Sequence, residues 1–116
     1  MFNNKMMKTL RIYDPALCCP TGLCGVNIDP ELMRIAVVIE TLKRKGIVIE
    51  RYNLRDHPQV YVSTKVVNDF LMKEGAEKLP VTTVDGEISV IDAYPSNQQI
   101  AEWVGISEDE LTIKKQ

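Results

Sequence analysis

Cys18, Cys19 and Cys24 are the three cysteines of the chain, and they fall together in the stretch CCPTGLCG. Thiolate sulfur prefers soft, polarisable ions to magnesium or calcium, and the turn formers Pro20, Thr21 and Gly22 let Cys24 fold back towards the adjacent pair. Three sulfurs then face one point. Zinc normally completes a tetrahedron with a fourth protein ligand. Trivalent arsenic or antimony, which carries a lone pair, is satisfied by a pyramid of three thiolates. The ligand count therefore favours a metalloid.

Two plainer readings compete. A lone cysteine is more often a small buried hydrophobe, but a loop containing Gly and Pro offers little core in which to bury three thiols. A redox pair is the stronger rival, because Cys19 and Cys24 would oxidise if their Cα atoms came within roughly 7 Å. The spacing argues against it. Thioredoxin-type chemistry uses C-x-x-C, whereas Pro20 to Leu23 separate Cys19 from Cys24, and a bond between the neighbours Cys18 and Cys19 would be strained. His57, the single histidine, sits beside Pro58 and reads as a surface-turn residue rather than a fourth zinc ligand.

The elements that must position this loop are legible in the pattern. Thr9 to Tyr13 alternates as a first strand and Asp14-Pro15 stops it. After the cysteines, Asp29-Pro30 marks a helix start, with Asp29 as cap and Pro30 at the first helical position. Leu32, Ile35, Ile39 and Leu42 form its apolar stripe, and Gly46 ends it. Ile47 to Tyr52 reads as a second strand, buried and parallel because its apolar residues serve both faces. Asp56-His57-Pro58 breaks the chain. A second helical region centres on Val66, Val67, Phe70 and Leu71 and stops at Gly75. Val81 to Val84 and Ile88 to Ile91 flank Asp85-Gly86, an antiparallel hairpin signal. Ser96 with Gln99 makes a capping box for a last helix through Ile100, Trp103 and Val104, which Gly105 ends, and Ser107 with Glu110 repeats the signal before a short turn.

Strand, helix, strand, helix, strand, strand, helix is the order of a thioredoxin-like α/β fold, a four-stranded mixed sheet with helices on both faces. Leu79-Pro80 stands where many members of that fold carry a cis proline facing the loop after the first strand; the fold resemblance suggests cis, while the base rate for X-Pro bonds favours an ordinary trans bond. The boundaries predicted are an extension over residues 1–8, one domain over 9–106, and a terminal turn and tail over 107–116.

With 116 residues, 45% hydrophobic and 26% charged, the chain suits one core. A formal net charge of -2 gives no global attraction to nucleic acid. The basic triplet Lys43, Arg44 and Lys45 lies at a helix end, where it complements the helix dipole. MFNNKMMK lacks the apolar run of a signal peptide and no stretch could span a bilayer, so a cytoplasmic location without membrane contact is expected. Three thiols suit that reducing compartment.

MKTLRIYDPALCCPTGLCG, from Met7 to Gly25, resembles the amino-terminal signature of the ArsD family, arsenic metallochaperones of bacterial resistance operons. The DPA lead and the CC-x4-CG core carry the likeness. It extends through GIVIERYNL, EGAEKLPVTTVDGE and YPSNQQIAEWVGI, nearly the whole domain. The resemblance implies a non-enzymatic carrier with no cofactor, which takes trivalent arsenic or antimony from glutathione complexes and passes it to an ArsA-type ATPase. Cys18, Cys19 and Cys24 fall on the family's metalloid ligands. The additional carboxyl-terminal cysteine pairs of some members are missing from the ending ELTIKKQ. The resemblance also implies a metalloid-responsive transcriptional repressor as the alternative, although no clear recognition helix beside a basic patch is readable. It leaves the oligomeric state open, a homodimer among the options.

Overall fold

The computed structural model describes residues 8–111 apart from 20, 24, 26 and 27, so most of the expected extension and tail lie outside the described residues. Its elements are β1 (Leu10–Asp14), α1 (Pro30–Arg44), β2 (Glu50–Asn53), α2 (Pro58–Ser63), α3 (Lys65–Glu74), β3 (Val81–Val84), β4 (Glu87–Ile91) and α4 (Asn97–Val104). Single 3-10 turns follow α3 at Ala76–Lys78 and α4 at Glu108–Leu111. The strands form one mixed sheet in the order β2-β1-β3-β4. β1 runs parallel to β2 and antiparallel to β3, and β3 pairs antiparallel with β4. A four-stranded mixed sheet with helices on both faces is what the sequence predicted for a thioredoxin-like α/β domain. The Leu79–Pro80 bond is cis, as the fold resemblance suggested.

Alternation along β1 divides the core in two. Leu10 and Ile12 join Ile35, Val38 and Leu42 of α1 and Ile100 and Val104 of α4 on one side. Tyr13 points the other way, to Tyr61 of α2, Val67 and Phe70 of α3, and Val81. Helices therefore cover both faces. β3 lies between two strands under both layers, and all four of its residues are buried. The terminal 3-10 turn also enters the first core, through Leu111 at 0% exposure.

The predicted caps are in place. Asp29 accepts from the Glu31 amide with Pro30 as first helical residue, and Ser96 and Gln99 complete both halves of their capping box. Asp85 and Gly86 both take positive φ, 52° and 85°, as the tight hairpin turn requires. Among the described residues, no helix is long and apolar enough to cross a membrane.

Two boundaries differ from the sequence reading. The second strand does not begin at Ile47 but at Glu50, and although parallel it lies at the sheet edge with only Asn53 buried. Ile47 is spent on the helix stop instead: Gly46 turns with φ +84°, the Gly46 amide donates to Lys43 O at 3.0 Å, and the Ile47 amide donates to Leu42 O at 2.9 Å. These are the two bonds of a Schellman closure. The second helical region is also two helices. Pro58 opens α2, and Thr64, extended at ψ 102° with its hydroxyl donating to Val60 O at 2.7 Å, separates it from α3.

Candidate functional site

The cysteine loop leaves the sheet where the parallel strands β1 and β2 end together, at the register pair Asp14 and Asn53. Both side chains are polar and buried, at 0% and 3% exposure. Burying an amide or carboxylate is tolerated only when its hydrogen bonds are made elsewhere, and here they are made to the loop and its supports. Asn53 Oδ1 accepts from the amides of Leu17 and Arg55, each at 3.0 Å. Its Nδ2 donates to Leu17 O at 3.1 Å and to Cys19 O at 3.4 Å.

Asp14 anchors the other side. Arg51 Nε donates to Asp14 Oδ2 at 2.6 Å, and its Nη2 reaches Asp14 Oδ1 at 3.4 Å and Thr21 O at 3.5 Å. Tyr94 donates its hydroxyl to Asp14 Oδ1, and its ring stands 5.9 Å from the Arg51 guanidinium carbon. Tyr61 shares its hydroxyl proton between Asp14 O at 2.6 Å and Tyr52 O at 2.8 Å. Burial pushes the Asp14 carboxyl above its ordinary value, even against the bonds from Arg51 and Tyr94. Burial alone would pull Arg51 down, but the hydrogen bond and the charge of Asp14, joined by Tyr94, together outweigh it and hold the guanidinium above its ordinary value. Burial likewise raises Tyr61 and Tyr94, the latter helped by its bond to Asp14.

On this base sit the cysteines. Cys18 is exposed and Cys19 half-buried, with their sulfurs 4.0 Å apart. Cys19 Sγ also lies 3.9 Å from Thr21 Oγ1, a hydroxyl that accepts from the Leu23 amide at 3.2 Å. The turn closes with the Gly22 amide donating to Cys19 O at 2.9 Å. Gly22 has φ +76°, a backbone conformation that selects glycine, and a Cβ there would come within 2.7 Å of Leu32 Cδ1, which would have to shift.

Cys24 and Pro20 lie outside the described residues, and among the described residues no three His, Cys, Asp or Glu side chains converge as a metal site. Cys18 is placed as one half of a disulfide. Capture of a soft ion requires its reduction first. Beside the loop opens a cavity of about 240 Å³ whose lining includes Thr21, Ile39, Arg51, Asn53 and His57. His57 is exposed in the turn before α2, as read from the sequence, with its ring 5.9 Å from that of Tyr52. It shares the cavity with Thr21 despite its distance along the chain. Sequence reasoning missed Asn53, Arg51, Tyr61 and Tyr94, and saw Asp14 only as a strand stop.

Fold and site together define a small α/β domain whose sheet end presents an exposed cysteine turn. The family model of the arsenical resistance operon protein ArsD matches residues 7–116, and the chain belongs to that family. Two Escherichia coli relatives, each named arsenical resistance operon trans-acting repressor ArsD, are 40% and 41% identical over 107 residues, 92% of this chain and 89% of theirs. The crystal structure of an arsenical resistance operon trans-acting repressor from Bacteroides vulgatus is similar throughout. It superposes with a TM-score of 0.86 at 65% identity, over 87% of this chain and 95% of that one.

Proposed function

We propose that this protein is a non-enzymatic carrier of trivalent arsenic or antimony, bound as cargo by Cys18, Cys19 and Cys24. It accepts the ion from a glutathione complex and delivers it to an ArsA-type ATPase. The observation that carries this reading is the paired placement of the Cys18 and Cys19 sulfurs, 4.0 Å apart, on a loop at the protein surface. A carrier exchanges ligands with donor and acceptor thiols through shared intermediates, so its sulfurs must be reachable. Exposure of Cys18 supports exchange, and the neighbouring cysteine places a second sulfur 4.0 Å away.

The test is native mass spectrometry of the reduced chain with and without arsenite, read beside the three Cys→Ser variants. One metalloid per chain is expected, with loss of thiol protons. Each variant is expected to bind at least about tenfold more weakly, roughly 1.4 kcal/mol. Apparent affinity rises with pH towards the thiol pKa near ~8.5, because only the thiolate is a ligand. Full affinity in any one of the three variants sinks the three-sulfur site.

The relatives' names favour a second reading, a metalloid-responsive repressor of the resistance operon. It requires operator DNA binding that weakens with salt and is released by arsenite. A third reading, a thiol oxidoreductase, requires turnover with a physiological reductant and no metalloid.

A further inference from the structure

We propose that Asn53 is the residue that positions the cysteine loop for ion capture, an inference that rests on the carrier reading above. Asn53 closes β2, in register with the last residue of β1, and its side chain points into the loop that leaves β1. A primary amide has two donor hydrogens and two acceptor lone pairs on its oxygen. All four are engaged here: Oδ1 accepts from Leu17 and Arg55, and Nδ2 donates to the carbonyls of Leu17 and Cys19.

The geometry of these bonds is specific to the cysteines. Asn53 takes both the amide and the carbonyl of Leu17, as a neighbouring strand would, and so extends the sheet by one residue through a side chain. It then reaches past Cys18 to the carbonyl of Cys19. Cys18 is thereby bracketed, with the backbone pinned on either side of it. At 3% exposure of Asn53 these bonds are largely shielded from competing water, so the amide holds the loop. Arg51 supports the same loop further on, through Thr21 O, but only by one long bond. Without Asn53 the loop keeps its thiols and loses the frame that presents two of them together.

Groups that orient a ligand from behind are worth about 10- to 100-fold in metal affinity, and a loss of that size is expected on changing Asn53. The informative substitution is Asn53→Asp. It keeps the volume and the acceptor for Leu17 and Arg55, but replaces the donor with an oxygen facing two carbonyls. Asn53→Ala is measured in parallel. Both are made in the full, reduced chain, with arsenite as the probe and arsenic K-edge absorption as the readout. The unmutated protein is expected to show three sulfurs around arsenic. The variants are expected to bind 10- to 100-fold more weakly and to show fewer sulfurs, with oxygen in their place, which a general loss of stability would not produce in the folded fraction.

A third measurement needs no variant. In the unmutated chain, the Asn53 side-chain amide resonances are expected to shift, and their exchange to slow, when arsenite binds. Unaltered Asn53 resonances, or a folded variant with three sulfurs and full affinity, overturn the proposal while leaving the carrier reading intact. Absence of arsenite uptake by the unmutated reduced chain overturns the carrier reading itself, and this proposal with it.

Discussion

At the scale of single residues, the least accessible charge among the described residues sits next to the cysteine turn. Asp14 has no solvent exposure, and Arg51, whose side chain is 11% exposed, holds it at 2.6 Å. Removing one partner of such a pair leaves an uncompensated charge, at a cost of about 3–5 kcal/mol. Arg51→Met is therefore expected to be severely destabilised at neutral pH. The loss should shrink in acid. Burial already raises the Asp14 carboxyl, and without the guanidinium it rises further. A carboxyl raised in the folded state contributes stability that is present below its unfolded value and lost as pH rises through its folded one. Urea unfolding at a series of pH values checks this: the deficit of Arg51→Met should widen with pH through and above the ordinary carboxylate range. A deficit independent of pH would mean that Asp14 is not the charge left behind.

At the scale of elements, what the sequence revealed was local. Caps and turns depend on residues a few positions apart, so Asp29-Pro30, Ser96 with Gln99, and Asp85-Gly86 could each be read directly and all stand as predicted. Ser96→Ala removes a cap that accepts from the Gln99 amide at 3.1 Å. It is expected to cost about 1 kcal/mol in chemical denaturation, with Ser96→Gly costing less. The start of β2 was misread because Ile47 to Ile49 look like a buried strand by composition, and only the closure of α1 shows that Ile47 is already engaged. The supports of the cysteine loop were hidden for a different reason. Leu17 and Asn53 lie 36 residues apart, and Asp14 and Tyr94 lie 80 apart. No local spacing encodes such pairs. The cysteines themselves were legible because their spacing carries the chemistry.

At the scale of the whole molecule, the sheet separates two cores that perform different tasks. One joins α1, α4 and the terminal turn; the other joins α2 and α3 to Tyr13, next to the loop's anchor at Asp14. Leu111 lies in a stretch that sequence reasoning treated as a turn and tail, yet it is fully buried in the first core. Leu111→Ala is expected to cost about 2–5 kcal/mol, the range for deleting a buried leucine side chain. Thermal unfolding would show it as a lowered midpoint. A change of a few tenths would place the terminal turn outside the cooperative unit.

The aromatic residues give this division an optical consequence. Three of the four tyrosines, Tyr13, Tyr52 and Tyr61, form one group in the second core, with the Tyr13 ring centroid 5.4 Å from Tyr52 and 5.3 Å, edge-on, from Tyr61; Tyr61 bonds to Asp14, and Tyr94 bonds to the same residue from the first-core side. The single tryptophan, Trp103, packs against the first core, as Tyr94 does, with its carbonyl accepting from the Lys8 amide at 3.1 Å. Tyr13, Tyr52 and Tyr61 on one side and Trp103 on the other therefore view different neighbourhoods without any label. Arsenite added to the reduced chain should perturb the tyrosine near-ultraviolet dichroism while leaving tryptophan emission almost untouched. Denaturant should move both signals together, so the ratio of the two traces separates cargo loading from unfolding in one cuvette.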